Sequence, residues 1–182
     1  EGGRQIINFH LPGDLISADG GPVGLVQKSL ATVTDCVLCE LDGEALADIH
    51  RSEAPLAEAF RWAARDETIV QQHLISIGRR SAMARLAHLL LELGDRLQLV
   101  GLGDEAGYRC PLIQEHLADA LGLTTIHVNR TLRELRRRGC VVFRNGYVSF
   151  VDRPELSRIA EYDSRFLDPS RSNPDPALRQ AG

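Results

Sequence analysis

Between Tyr108 and Arg153 the chain places eight arginines, Arg109, Arg130, Arg133, Arg136, Arg137, Arg138, Arg144 and Arg153, against four acids, Glu115, Asp119, Glu134 and Asp152. This local charge of +4 sits in a chain whose total is −4. Guanidinium groups gathered this way suit a polyanion, because each phosphate they neutralise releases condensed counterions. A basic run is often only a solvated helix face, but here it coincides with a pattern. In Gln114–Arg138, the apolar Leu117, Ala118, Leu121, Leu123, Val128, Leu132 and Leu135 recur so as to clamp two helices together, with Gly122 in the tight turn between them. The positions left facing outward are Thr124, Thr125, Ile126, His127, Asn129, Arg130 and Arg133, whose side chains suit base edges and phosphates in a duplex groove.

Other candidate chemistry is thin. Cys36, Cys39, Cys110 and Cys140 are too few in 182 residues for a disulfide framework, so reduced thiols are expected. Cys36-Val-Leu-Cys39 has metal or redox spacing, but in a β-rich stretch residues three apart point to opposite faces. The expectation is therefore buried structural cysteine and no metal site. Cys110 and Cys140 flank the two-helix motif and would make it oxidation-sensitive only if exposed and of low pKa. The chain holds no glycine-rich phosphate loop, no paired His-Glu metal motif, no nucleophile elbow and no carboxylate pair at catalytic spacing. No catalytic residue is assigned, and binding rather than catalysis is expected. At 43% hydrophobic and 25% charged residues the chain should fold. No apolar run approaches the ~18 residues of a membrane helix, and the first residues do not open a secretory signal, so a cytoplasmic protein with no membrane partner is expected.

The outward set needs elements to hold it. Pro111–Leu121 and Thr124–Arg138 read as helices, the second stopping at Gly139, and Val141–Phe143 and Tyr147–Val151 flank Asn145-Gly146 as a hairpin. Together these make a winged helix. Upstream, Ser81–Leu97 reads as a helix with Leu86, Leu89, Leu90, Leu93 and Leu97 on a core face, followed by a loop at Val100–Gly107. A long helical pattern runs from Ala45 to about Gly78, with Pro55 in its first turn. Along it, Phe60, Ala63, Glu67, Val70, Leu74 and Ile77 follow alternating steps of three and four, the seam that pairs a helix with a second copy. Residues 4–43 read as strands and turns, with strands at Gln5–Leu11 and Leu30–Leu41 and turns at Pro12-Gly13-Asp14 and Asp19-Gly20-Gly21-Pro22. So few strands cannot cover their own apolar face, and the only methionine is Met83, so further strands are expected before Glu1. Beyond Pro154 a short helix to about Tyr162 precedes a loose tail, Asp168–Gly182.

At His116–Gly139, "HLADALGLTTIHVNRTLRELRRRG", the chain resembles the Crp/Fnr superfamily of bacterial transcription regulators, and "LPGDLI" at Leu11–Ile16 resembles the late part of that family's β-roll. The resemblance covers roughly residues 4–151. It implies an α+β architecture in four parts: the end of a cyclic-nucleotide-binding-like β-roll sensor domain (1–44), a dimerisation helix (45–78), a winged helix-turn-helix (79–152), and a C-terminal short helix and tail (153–182). Carried over by position, it puts base reading on Thr125, Ile126, Asn129 and Arg130, with Arg130 placed for guanine O6 and N7. Many members have glutamate where this chain has Ile126, which would meet a thymine methyl instead; Asn129 would pair with adenine or reach a phosphate. Backbone contacts fall on Thr124, His127, Arg133, Arg137, Arg138 and Arg144.

The implied function is a sequence-specific regulator that binds a palindromic duplex as a homodimer and works with RNA polymerase. Cyclic AMP is not expected as its effector, because the family's ligand positions hold Ser17-Ala18, Lys28-Ser29 and Val70-Gln71 here. Cys39 stands where oxygen-sensing members hold the last of four cluster ligands, so the alternatives are a thiol-responsive or iron–sulfur sensor regulator, and then a protein-interaction module built on the seam helix. No cofactor is assigned.

Overall fold

The computed structural model describes residues 3–16, 28–41 and 43–167. The chain runs through α1 (Gly43–Arg51), α2 (Glu53–Arg79), α3 (Ala82–Leu99), β1 (Gly103–Asp104), β2 (Gly107–Arg109), α4 (Gln114–Leu121), α5 (Thr125–Arg137), β3 (Val141–Arg144), β4 (Tyr147–Phe150) and α6 (Arg153–Ala160), then a 3-10 turn at Ser164–Leu167. Ser17-Ala18, the turn expected at 19–22 and the tail from Asp168 lie outside the described residues. The helix expected from Ala45 to Gly78 is two helices, because Ser52 adopts an extended conformation (φ −115°, ψ 123°). Pro55 then falls in the first turn of α2, where its missing N–H is not needed.

The C-terminal module is built around α3. Its start is capped by the Ser81 hydroxyl, which accepts the Ala84 N–H. Helix α3 buries Leu86, Leu89, Leu90 and Leu93 as expected, but also His88, Glu92 and Arg96, so it is enclosed almost all round. Four antiparallel strands form one sheet in the order β1-β2-β4-β3. The expected wing, β3 and β4, is therefore half of a larger sheet, and the loop expected at Val100–Gly107 contains β1 and the start of β2. These strands of two and three residues are too short to show alternation. Gly107, at φ +155°, allows β2 to lie against β4; a Cβ there would meet the Val148 carbonyl oxygen at 2.0 Å. At the wing tip, Asn145 (φ 52°) and Gly146 (φ 69°) supply the two positive φ values of a tight hairpin turn. Sheet and helix are joined by the Tyr108 hydroxyl, which donates to the Leu90 carbonyl at 2.9 Å, and by Gly94, whose Cβ would lie 2.9 Å from the Phe150 ring.

The strands expected at Gln5–Leu11 and Leu30–Leu41 are not formed among the described residues; both segments are irregular, the second with a bend at Val33-Thr34. The first is instead held by helices. The Ile6 N–H donates to the Asp119 carbonyl, Arg4 pairs with Asp119 at 2.6 Å and Glu115 at 3.2 Å, and Ile6 and Phe9 pack on the core. Leu11-Pro12-Gly13-Asp14 closes a turn in which the Asp14 N–H donates to the Leu11 carbonyl at 2.9 Å, with Gly13 at φ +87°. Residues 28–41 are exposed throughout, and Cys36 and Cys39 with them. The expectation that these cysteines are buried is thus corrected: without a paired strand or a packed helix, nothing among the described residues covers that segment.

Candidate nucleic-acid interface

The outward positions depend on how α4 and α5 lock. Leu117, Val128 and Leu135 are fully buried between the helices and α3, Ala118 and Leu121 nearly so, and Leu123 and Leu132 pack at the margin. Gly122 ends α4 in the left-handed conformation (φ 62°) that the turn requires. Thr124 then caps α5, its hydroxyl accepting the His127 N–H at 3.2 Å. With Val128, Thr131 and Leu135 inward, the opposite face of α5 borders an open cleft of about 1120 Å³ whose other wall is Ser81, Ala82 and Met83 at the start of α3.

The expected contact residues divide into three groups. Thr124, Thr125, Ile126, Arg130, Arg133 and Arg144 are exposed, Ile126 to 81%. The side chains of Arg130, Arg133, Arg136 and Arg144 form no hydrogen bond or ion pair among the described residues. His127 and Asn129 are half-buried, and the Asn129 amide donates to Gln114 Oε1 at 3.0 Å. Asn129 is therefore not the free amide that bidentate adenine reading requires, and its partner Gln114, which opens α4 and lines the same cleft, was not foreseen.

Arg137 and Arg138 are exposed but already engaged. Arg137 grips Glu134 with two hydrogen bonds of 2.8 Å, and Arg138 Nε donates to the same carboxylate at 2.8 Å. These hydrogen bonds hold the Glu134 carboxyl down to about 2. The two arginines, expected as phosphate contacts, are thus paired within the helix; the i,i+3 and i,i+4 spacing is the signal for it. Cys110 and Cys140, beside this motif, are buried, and burial pushes both thiols up, Cys110 to about 11. They meet neither condition for oxidation sensitivity.

On α2, Phe60, Ala63, Glu67, Val70, Leu74 and Ile77 are all exposed, Phe60 to 68% and Leu74 to 71%, while Ile69 and Ser76 on the other side are buried. Where that other side meets α3 and the Asp14 turn there is a buried polar network that sequence periodicity could not show. Arg96 bridges Glu92 and Asp14, each at 3.0 Å, and donates to the Phe9 carbonyl at 2.6 Å. His73 contacts Glu92 at 2.8 Å and the Ile7 carbonyl at 3.2 Å, and Arg65 pairs with Asp14 at 2.7 Å. Burial works against the charge on both His73 and Glu92, but their hydrogen bond and mutual attraction prevail, raising the His73 pKa and lowering that of Glu92. Among the described residues no group of three or more His, Cys, Asp or Glu is disposed to hold a metal ion. Cys36 and Cys39 therefore do not make a cluster site with any third described ligand. No helix among the described residues is long and apolar enough to cross a membrane.

Comparison with known proteins places this geometry among relatives. The Crp-like helix-turn-helix domain family matches residues 84–159. The chain is 30% identical over 159 residues to the nitrogen fixation regulation protein FixK of Rhizobium meliloti, covering 87% of this chain and 69% of that one. It is 32% identical over 162 residues to the transcriptional activatory protein AadR of Rhodopseudomonas palustris, covering 88% of this chain and 66% of the relative. The solved structure of FixK2 from Bradyrhizobium japonicum shares the fold, with a TM-score of 0.56 at 23% identity over 65% of this chain; the match spans 58% of that structure.

Proposed function

Because the chain belongs to the Crp/Fnr superfamily of transcription regulators, we propose that it binds a palindromic DNA site as a homodimer, laying the first half of α5 in the major groove. The observation that carries this reading is the exposure of Thr124, Thr125, Ile126, Arg130 and Arg133 beside an open cleft, with Arg130 and Arg133 side chains unpaired among the described residues while Val128, Thr131 and Leu135 on the other face are locked into the core. Arg130 is the base reader, since a free guanidinium early on a recognition helix suits guanine O6 and N7. Thr125 and Ile126 flank it, Ile126 offering apolar contact to a thymine methyl. The α2 seam pairs two copies, spacing the two α5 helices about one turn of DNA, ~34 Å, apart. RNA polymerase is the partner through which such a complex would act. Selection from random duplexes with the 182-residue chain is expected to return an inverted repeat whose affinity drops steeply with salt. Asymmetric or single-stranded winners, or binding indifferent to salt, would defeat the reading.

A second reading, a thiol-responsive regulator, is favoured by the exposure of both Cys36 and Cys39. Its test is whether mild peroxide changes duplex affinity in the parent chain but not in Cys36→Ser/Cys39→Ser.

A further inference from the structure

Helix α5 and its C-cap carry five arginines, Arg130, Arg133, Arg136, Arg137 and Arg138, and a single acid, Glu134. That acid lines the same open cleft as Arg130 and Arg133. A lone carboxylate on a surface meant for phosphates would repel them, so its place among the arginines requires an account.

Its geometry supplies one. Arg137 presents the fork of its guanidinium, Nε to Oε2 and Nη2 to Oε1, both at 2.8 Å, which is the arrangement it would offer to two phosphate oxygens. Arg138 Nε shares Oε1 at 2.8 Å. The donors that would reach the backbone are thus committed to an internal anion of similar hardness. Exchanging Glu134 for a phosphate reproduces these bonds without improving them, and it strands the carboxylate beside a polyanion. Arg133, Arg136 and Arg144 have no such competitor among the described residues. The low pKa of Glu134 agrees with the geometry: it stays ionised across the working range of any DNA-binding protein.

We propose that Glu134 sets the sequence-independent part of the DNA affinity, by holding Arg137 and Arg138 off the phosphate backbone and leaving that contact to Arg133, Arg136 and Arg144. This rests on the reading of α5 as the DNA-facing helix. A regulator must leave wrong sites quickly, and non-specific affinity grows with every phosphate neutralised. Glu134 trims that count without touching the base-reading residues one and two turns earlier.

The test is a salt series of fluorescence anisotropy on a labelled random-sequence duplex, comparing the parent chain, Glu134→Gln, Arg137→Ala/Arg138→Ala, and the triple variant. Releasing two arginines should steepen the log–log salt slope of Glu134→Gln by about two, so its advantage over the parent shrinks about tenfold between about 50 and about 200 mM salt. The arginine pair should matter little while Glu134 is present and should cancel the gain when it is absent. Glu134→Ala, which keeps a strong helix former at the position, should repeat the Glu134→Gln result. If the parent binds with a salt-dependent affinity, Glu134→Gln and Glu134→Ala leave the slope unchanged, and Arg137→Ala/Arg138→Ala flattens it by about two, the arginines already sit on phosphates and the proposal fails alone. If no variant shows salt-dependent binding, the proposal falls together with the DNA reading.

Discussion

Arg96 meets Asp14 at 3.0 Å, joining the middle of the C-terminal module to a turn 82 residues earlier in the chain. Both side chains are nearly fully buried, and Arg96 also neutralises Glu92, which is completely so. Arg96 is thus shared by two buried carboxylates, each of which has a second partner, Arg65 for Asp14 and His73 for Glu92, and the arrangement ties the Leu11–Asp14 turn, α2 and α3 into one polar core.

Removing that cation should be the costlier half of the pair. Arg96→Met removes the charge the two carboxylates share, leaving Asp14 only Arg65 and Glu92 only His73, and should cost about 3–5 kcal/mol. Asp14→Asn leaves Arg96 with Glu92 and the Phe9 carbonyl and should cost about 1–3 kcal/mol. Urea unfolding measures both, and equal midpoints for the two variants would refute the ranking.

His88 and His73 should act on opposite sides of neutrality. His88 packs against the rings of Tyr162 and Phe166, which also meet each other, and neither of its ring nitrogens meets a good hydrogen-bond partner. Burial, aided by nearby Arg80, lowers its pKa to about 4. Its folded value is below the unfolded one of about 6.5, so the stability it allows is present above that pH and is lost as pH falls toward 4, by on the order of 3 kcal/mol. The His73 pKa is raised, its partner Glu92 overcoming burial, so its contribution is full below about 6.5 and is lost as pH rises through the folded value. In thermal unfolding across pH, His88→Leu should flatten the acid side and His73→Gln the alkaline side; a swap of the two effects would reverse both assignments.

Charge placed in the α2 seam should separate two copies without unfolding one. Leu74 and Ile77 are exposed while Ile69 and Ser76 opposite them are buried, so Leu74→Asp/Ile77→Asp should sediment as a monomer with unchanged helix content. An unchanged dimer would put the interface elsewhere.

Arg130 and Arg144 should fail differently. Arg130→Ala is expected to cost about 1–3 kcal/mol per half-site on the selected duplex and little on a scrambled one. Arg144→Ala, at the wing, should weaken both alike and reduce the salt slope by about one. Equal losses on both duplexes for Arg130→Ala would remove it from the base-reading set.

What could be read from the sequence was what repeats or what has a dedicated residue. The α4–α5 clamp, the Gly122 turn, the Asn145-Gly146 wing tip and the exposed α2 seam each follow from spacing or from a required φ. Strands β1 and β2 escaped because two or three residues carry no period, and the Ser52 break escaped because the apolar pattern runs straight across it. The Asp14–Arg96–Glu92–His73 network joins residues with no common spacing, so only tertiary structure assembles it. Gln5–Leu11 alternates like a strand, yet a strand needs a neighbour, and helix α4 takes the Ile6 N–H instead.

Gly94 lies two residues before Arg96 on α3, where an added Cβ would meet the Phe150 ring at 2.9 Å. A larger residue there would have to displace the Phe150 ring or part the helix from the sheet, and one turn earlier the Tyr108 hydroxyl on the Leu90 carbonyl holds the same stretch. The middle of α3 is therefore fastened to the sheet through two adjacent turns. Mechanically it is the spoke of a wheel rather than a spring. A shift of the Asp14 turn that moved Arg96 would then be expected to carry α5 and the wing along with the helix as one body.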